Sequence, residues 1–204
     1  MHISRRLLAA LAAVSIPGAG LSADFSDPTW PCVQRKVESL SLGLMWPLPV
    51  PDGALPDAIA GDADILVETL ALRRVSLEKA AVLVDTFVAD HPGLTADDLG
   101  RIFRAVFDGG QADRSAIISG IERYSLKQIA LSEEIDGSRA RMSDLMKADA
   151  PDYDKVDELE EKLDWDERIF RDRAQSLTYV CETPVLLEKR AYAIAQMLLG
   201  HVPE

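Results

Sequence analysis

The sequence predicts an all-α protein, with a small N-terminal helical bundle joined to a long antiparallel helical hairpin that pairs like a coiled coil. Three observations carry this reading. Apolar residues recur three and four apart over most of the chain after Gly61. No stretch shows the two-residue alternation of a strand. Seven of the 11 prolines fall before residue 57, leaving long stretches free of helix breakers. At 204 residues, 48% hydrophobic and 27% charged, the chain has the size of one compact domain or of one with an elongated appendage.

Residues 1–23 read as an export signal. Arg5 and Arg6 precede the uncharged run Leu7 to Val14, which Pro17 and Gly18 interrupt. That run is far below the ~18–20 apolar residues that span a bilayer. Small residues follow, so cleavage is expected after Ala23, with an uncleaved membrane anchor as the alternative. Removing the signal takes away two arginines and no acid, leaving 20 basic against 34 acidic residues, a charge of -14. A chain so acidic is repelled by nucleic-acid phosphates and anionic lipid heads, which argues against nucleic-acid binding. No later apolar run reaches membrane length, so the mature protein is expected to be periplasmic without stable membrane insertion.

Residues 24–56 hold six prolines together with Trp30, Trp46, Leu48 and Val50, a composition that suits an irregular strap wrapped on helices. A short helical turn is expected within Val33 to Leu44. Residues 57–110 should form the short-helix bundle. One helix carries Ile65, Leu66, Thr69 and Leu72, and a second follows Ser76 and ends at His91-Pro92-Gly93. Thr95 with Asp98 makes a capping box that opens a third helix through Leu99, Ile102, Phe103, Val106 and Phe107, and Gly109-Gly110 should stop it.

Residues 111–183 should form the hairpin. Ile117, Ile121, Tyr124, Gln128, Leu131, Ile135, Ser138, Met142 and Leu145 step by four and three without a slip, a heptad seam with two polar entries. Asp149-Ala150-Pro151-Asp152 makes the turn, because a residue before proline avoids the helical region. The returning helix carries Val156, Leu159, Leu163, Phe170, Leu177 and Val180, with Asp166 and Arg173 interrupting. A helix of about 30 residues reaches ~45 Å. The seam suits pairing within one chain or between two, so a monomer or a homodimer is expected, with Gln128, Ser138, Asp166 and Arg173 setting the register. Thr183-Pro184 is either a helix start or a kink in one continuous helix. Residues 184–204 are apolar on more than one face and should be largely buried in the bundle.

Cys32 and Cys181 are expected to form one disulfide that pins the strap to the C-terminal helical region. Neither belongs to a C-x-x-C pair, which leaves redox catalysis without support. Arg35-Lys36 would then lie close enough to pair with Glu182 or Glu188. After signal removal the histidines are His91 and His201, each following the last apolar turn of a helix, where a cap or a solvent-exposed role fits better than catalysis. There is no G-x-S-x-G, H-E-x-x-H or P-loop pattern, so no enzyme activity, no cofactor and no metal centre is inferred.

The hairpin tip is the most conspicuous constellation. From Asp144 to Glu167 eleven acids face Lys147, Lys155 and Lys162, a local charge of -8. Asp144, Asp152, Asp154, Asp157, Glu158 and Glu161 form the candidate interaction surface for a basic partner. Calcium is disfavoured, because a loop starting at Asp152 lacks the glycine of an EF-hand and would place Leu163 at position twelve. Helical pairing is expected between Glu158 and Lys162, Asp164 and Arg168, and Glu167 and Arg171. Trp30, Trp46 and Tyr124 are the candidate lining of a small-ligand pocket.

The stretches W-P-C-V-Q-R-K at Trp30 to Lys36, I-E-R-Y at Ile121 to Tyr124 and V-C-E-T-P-V-L-L-E at Val180 to Glu188 resemble a set of uncharacterised exported helical proteins of alphaproteobacteria. The stretches that carry the resemblance cover about a tenth of the chain, and it implies a periplasmic setting, with no activity or catalytic residue attached. The leading expectation is a non-enzymatic interaction protein, an envelope adaptor or assembly factor presenting the hairpin to an envelope protein. A periplasmic small-ligand or metal-ion binding protein is the alternative.

Overall fold

The computed structural model describes residues 27–203. The expected signal peptide over residues 1–23 lies outside the described residues. Among the described residues the fold is all-helical: a 3-10 turn at Leu42–Leu44, then α1 (Asp57–Ala71), α2 (Leu77–Asp90), α3 (Ala96–Met146) and α4 (Tyr153–Leu199). The long helices α3 and α4 pack antiparallel as a hairpin, and no helix among these residues is long and apolar enough to cross a membrane.

Local signals explain most of the helix starts. Ser76 caps α2 by accepting from the Lys79 amide, and Thr95 caps α3 in a reciprocal box with Asp98. Asp152 caps α4 by accepting from the Lys155 amide at 3.3 Å.

Two expected boundaries are corrected. Gly109-Gly110 does not stop the third helix, which runs unbroken through both residues to Met146. Each glycine weakens a helix by about 1 kcal/mol relative to alanine. The buried stripe nevertheless continues across them, from Phe103, Val106 and Phe107 to Arg114, Ile118 and Ile121, so packing holds the helical path on both sides. Likewise α4 runs without interruption through Pro184, itself buried, so Thr183 is not a helix start. Proline removes one amide donor, but flanking Cys181 and Leu187 are both buried and hold the segment against its neighbours. The divisions expected at residues 110 and 183 therefore fall inside continuous helices, and the hairpin legs are extensions of bundle helices.

The main core lies where α1, α2, the start of α3 and the end of α4 meet. Leu70, Val84, Leu99, Ile102, Phe103, Ile194 and Leu198 are fully enclosed there. Ile194 and Leu198 bear out the expectation that the chain end is buried in the bundle, although Leu186 and Tyr192 stay about half exposed. Trp46 of the strap closes this core, 1% exposed and stacked on Phe103 at 5.6 Å between ring centroids. Gly100 allows that approach, since a Cβ there would stand 3.1 Å from Trp46 Nε1 and 3.2 Å from Val50 Cγ2. Arg190 of α4 donates to the Leu70 carbonyl through Nε (3.0 Å) and Nη2 (2.8 Å) and to the Val75 carbonyl through Nη1 (2.7 Å). It thereby satisfies the Leu70 carbonyl, which the end of α1 leaves without a helical donor, and the Val75 carbonyl just before α2.

A second, smaller cluster sits partway along the hairpin, where Trp30, Cys32, Ile118, Ile121 and Cys181 are buried together. Cys32 and Cys181 are disulfide-bonded, with Cα atoms 5.5 Å apart. The strap is fastened around this bond by Ser125 Oγ donating to the Pro28 carbonyl at 2.8 Å and by Gln111, which accepts from the Leu40 amide at 3.1 Å. Lys36 pairs with Glu122 of α3 at 2.5 Å and not with Glu182 or Glu188, because the strap runs along α3 at this level.

Candidate functional site

The hairpin seam forms within one chain. Ile121, Gln128, Ile135 and Ser138 of α3 are buried, as are Val156 and Leu163 of α4. Gln128 Nε2 donates to the Phe170 carbonyl at 3.0 Å, a bond across the seam that only one register permits. Ser138 is fully buried and accepts from Arg141 Nη2 at 2.8 Å. Outside the seam, Glu134 bonds Lys162 at 2.6 Å and Arg139 bonds Glu167 at 2.7 Å, both between the two helices. Of the three expected pairs along α4, Glu167 with Arg171 forms at 3.5 Å. Lys162 instead takes Asp166 and Glu134, leaving Glu158 free of ion pairs among the described residues. Asp164 and Arg168 do not pair there either.

The tip brings together much of the acidic surface that the sequence singles out. Asp144 and Glu158 line one groove of about 590 Å³ together with Leu145, Ala148, Leu159, Arg141 and Lys155. Asp154, Asp157 and Glu161 are exposed on the first turns of α4 and make no ion pair among the described residues. Asp152 has another duty. Its carboxylate holds the Lys155 amide and lies 2.8 Å from Lys155 Nζ. The hydrogen bonds from Lys155 hold its pKa below the ordinary aspartate value. Met146 and Tyr153 flank the turn at 50% and 62% exposure, so the tip presents apolar as well as anionic surface. Among the described residues no three His, Cys, Asp or Glu side chains are grouped to hold a metal ion.

The three aromatic residues expected to line one pocket are separated. Trp46 is in the main core, Trp30 is in the disulfide cluster, and Tyr124 lines a groove of about 290 Å³ with Ile117, Gly120, Ile121, Ser176, Leu177 and Val180. The cause is the path of the strap, which carries its two tryptophans to different levels of α3. Gly120, Ser176, Leu177 and Val180 of this groove were not singled out as a ligand site by sequence reasoning. Their sequence signal is only a helical spacing of three and four on each leg beside the heptad seam.

Both histidines among the described residues meet single carboxylates. His91 Nε2 lies 3.2 Å from Asp62 and His201 Nε2 lies 2.8 Å from Asp85, each linking two helical segments of the bundle. Neither has a serine or cysteine nucleophile beside it among the described hydrogen bonds, the arrangement that acyl-transfer chemistry would need. No protein-family model, curated protein or solved structure matches this chain.

Proposed function

We propose that the chain is an exported, non-enzymatic interaction protein of the periplasm, an envelope adaptor or assembly factor that presents its hairpin tip to a protein partner. The observation that carries this reading is the tip, where a groove lined by Leu145, Ala148 and Leu159 with Asp144, Glu158, Arg141 and Lys155 lies beside exposed Met146 and Tyr153 and the acids Asp154, Asp157 and Glu161, unpaired among the described residues. Such a surface fits an amphipathic segment with basic flanks, whose apolar side fills the groove and whose cations meet the acids. A buried disulfide is in keeping with an oxidising compartment.

Cross-linking of the tagged chain in its native envelope tests the proposal. Wild type should retain a partner that is lost from the charge-reversed pair D144K/E158K and from the groove-filling A148W, both with unchanged helical content. Equal recovery by all three would remove the tip from the mechanism. A second reading, a periplasmic small-ligand binding protein, is favoured by the groove beside Tyr124.

A further inference from the structure

The groove beside Tyr124 is lined on α3 by Ile117, Gly120, Ile121 and Tyr124 and on α4 by Ser176, Leu177 and Val180. Its floor belongs to the cluster around the disulfide, since Ile117 and Leu177 pack against Trp30, Ile118 and Cys181. Covalent fastening beneath the groove keeps it formed without a ligand, which reduces the ordering that binding would require. Gly120 lines it, and a Cβ there would meet nothing nearer than Arg123 Nη2 at 4.0 Å, so a side chain can enter this space without a clash.

Helical spacing carries the two lining stripes on to cations toward the tip, although no cation lines the groove itself. Gly120, Arg123, Tyr124 and Lys127 stand at i, i+3, i+4 and i+7 on α3, and Arg173, Ser176, Leu177 and Val180 repeat that spacing on α4. Residues so spaced share one helical stripe. Because the helices are antiparallel, Lys127 and Arg173 both lie toward the tip from the groove, and the Arg123 guanidinium folds back over Gly120. Acids outnumber lysine and arginine 34 to 22, yet none of these three cations has an ion pair among the described residues.

We infer that this groove is a binding site for a medium-chain fatty acid, its tail between α3 and α4 and its carboxylate among Arg123, Lys127 and Arg173. The groove is small, about 290 Å³, and its lining is almost wholly apolar, which suits one alkyl chain better than a two-chain lipid. The inference rests on the small-ligand reading and is independent of the hairpin tip.

Titration calorimetry of the full chain with dodecanoate, octanoate, dodecanol and dodecylamine, each below its micellar concentration, tests it. Dodecanoate should bind in the micromolar range and octanoate much more weakly, with affinity rising up to about fourfold per methylene. R123Q/R173Q should weaken dodecanoate about tenfold while leaving dodecanol unchanged. G120L, which fills the groove and also favours the helix, should abolish binding while the melting temperature holds or rises. Dodecanol or dodecylamine binding as tightly as dodecanoate would overturn the acid specificity and leave a small-ligand groove. No binding by any of the four amphiphiles would sink the inference and the small-ligand reading together. A dimer in light scattering that G120L dissociates would assign the groove to a second copy of the chain and likewise overturn the fatty-acid site.

Discussion

Arg190 and Arg114 show how differently two arginines of one bundle are used. Arg190 spends three of its donors on the carbonyls of Leu70 and Val75, tying α4 to the end of α1 and to the start of α2. A lysine cannot reproduce that fork. Arg190→Lys and Arg190→Ala should both destabilise the fold by about 2 kcal/mol, read as a lower denaturation midpoint at unchanged slope. Arg114 is only 3% exposed, and its Nε has no hydrogen-bond partner. Burial pushes its guanidinium below the ordinary arginine pKa, and nearby Glu188 partly offsets this. Replacing such a group by an apolar one of similar length is often neutral or stabilising. Arg114→Met should therefore leave the melting temperature equal or higher, and a clear loss would show that the charge itself holds the strap. Asp152 sets a pH dependence. Its folded-state pKa lies below the ordinary value, so the cap stabilises α4 above the usual aspartate range and is lost as pH falls through the depressed value. Between neutral pH and about pH 3, Asp152→Asn should lose less stability than wild type, while Asp152→Ala should be weaker already at neutral pH.

At the scale of the element, the glycines of α3 separate propensity from packing. A Cβ at Gly109 or Gly110 would meet nothing within 4 Å, so alanine there gains helix propensity without a clash. Each substitution should stabilise by up to about 1 kcal/mol and raise the melting temperature by about 2–4 °C. Gly100 is the opposite case, because any side chain there meets Trp46 and Val50 of the strap. Gly100→Leu should lower stability and expose Trp46, read as a red shift and increased quenching of tryptophan emission. Sequence pattern alone identifies Gly109-Gly110 as a stop and does not single out Gly100, and both outcomes have one reason. A glycine's effect depends on what lies where its side chain would be, which local spacing does not encode. The heptad seam is the counter-example: burial of Ile121, Gln128, Ile135 and Ser138 follows from the 3.5-residue repeat and needs no knowledge of the partner helix.

At the scale of the molecule, the bridge from Cys32 to Cys181 spans 149 residues and joins the strap to the second cluster. A closed loop of that length corresponds to about 5 kcal/mol as an upper figure in the chain-entropy model. The double variant C32A/C181A should unfold about 2–5 kcal/mol more easily, with the groove beside Tyr124 losing protection from hydrogen exchange before the main core does. The reverse order of exchange would show that the strap is held mainly by Trp46. The sequence by itself determined the helical class, the helix starts at Ser76 and Thr95, the hairpin seam and its turn, the cysteine pair and the acid-rich tip. Each of these is set by the order of residues over a few turns, or by there being only two cysteines. The tertiary structure decided that α3 and α4 run unbroken past Gly109-Gly110 and Pro184, that Trp30 and Trp46 part company, and that Leu145, Ala148 and Leu159 open a groove among the tip acids. Those outcomes depend on burial against segments as many as 150 residues away in the chain, and no local periodicity carries that information.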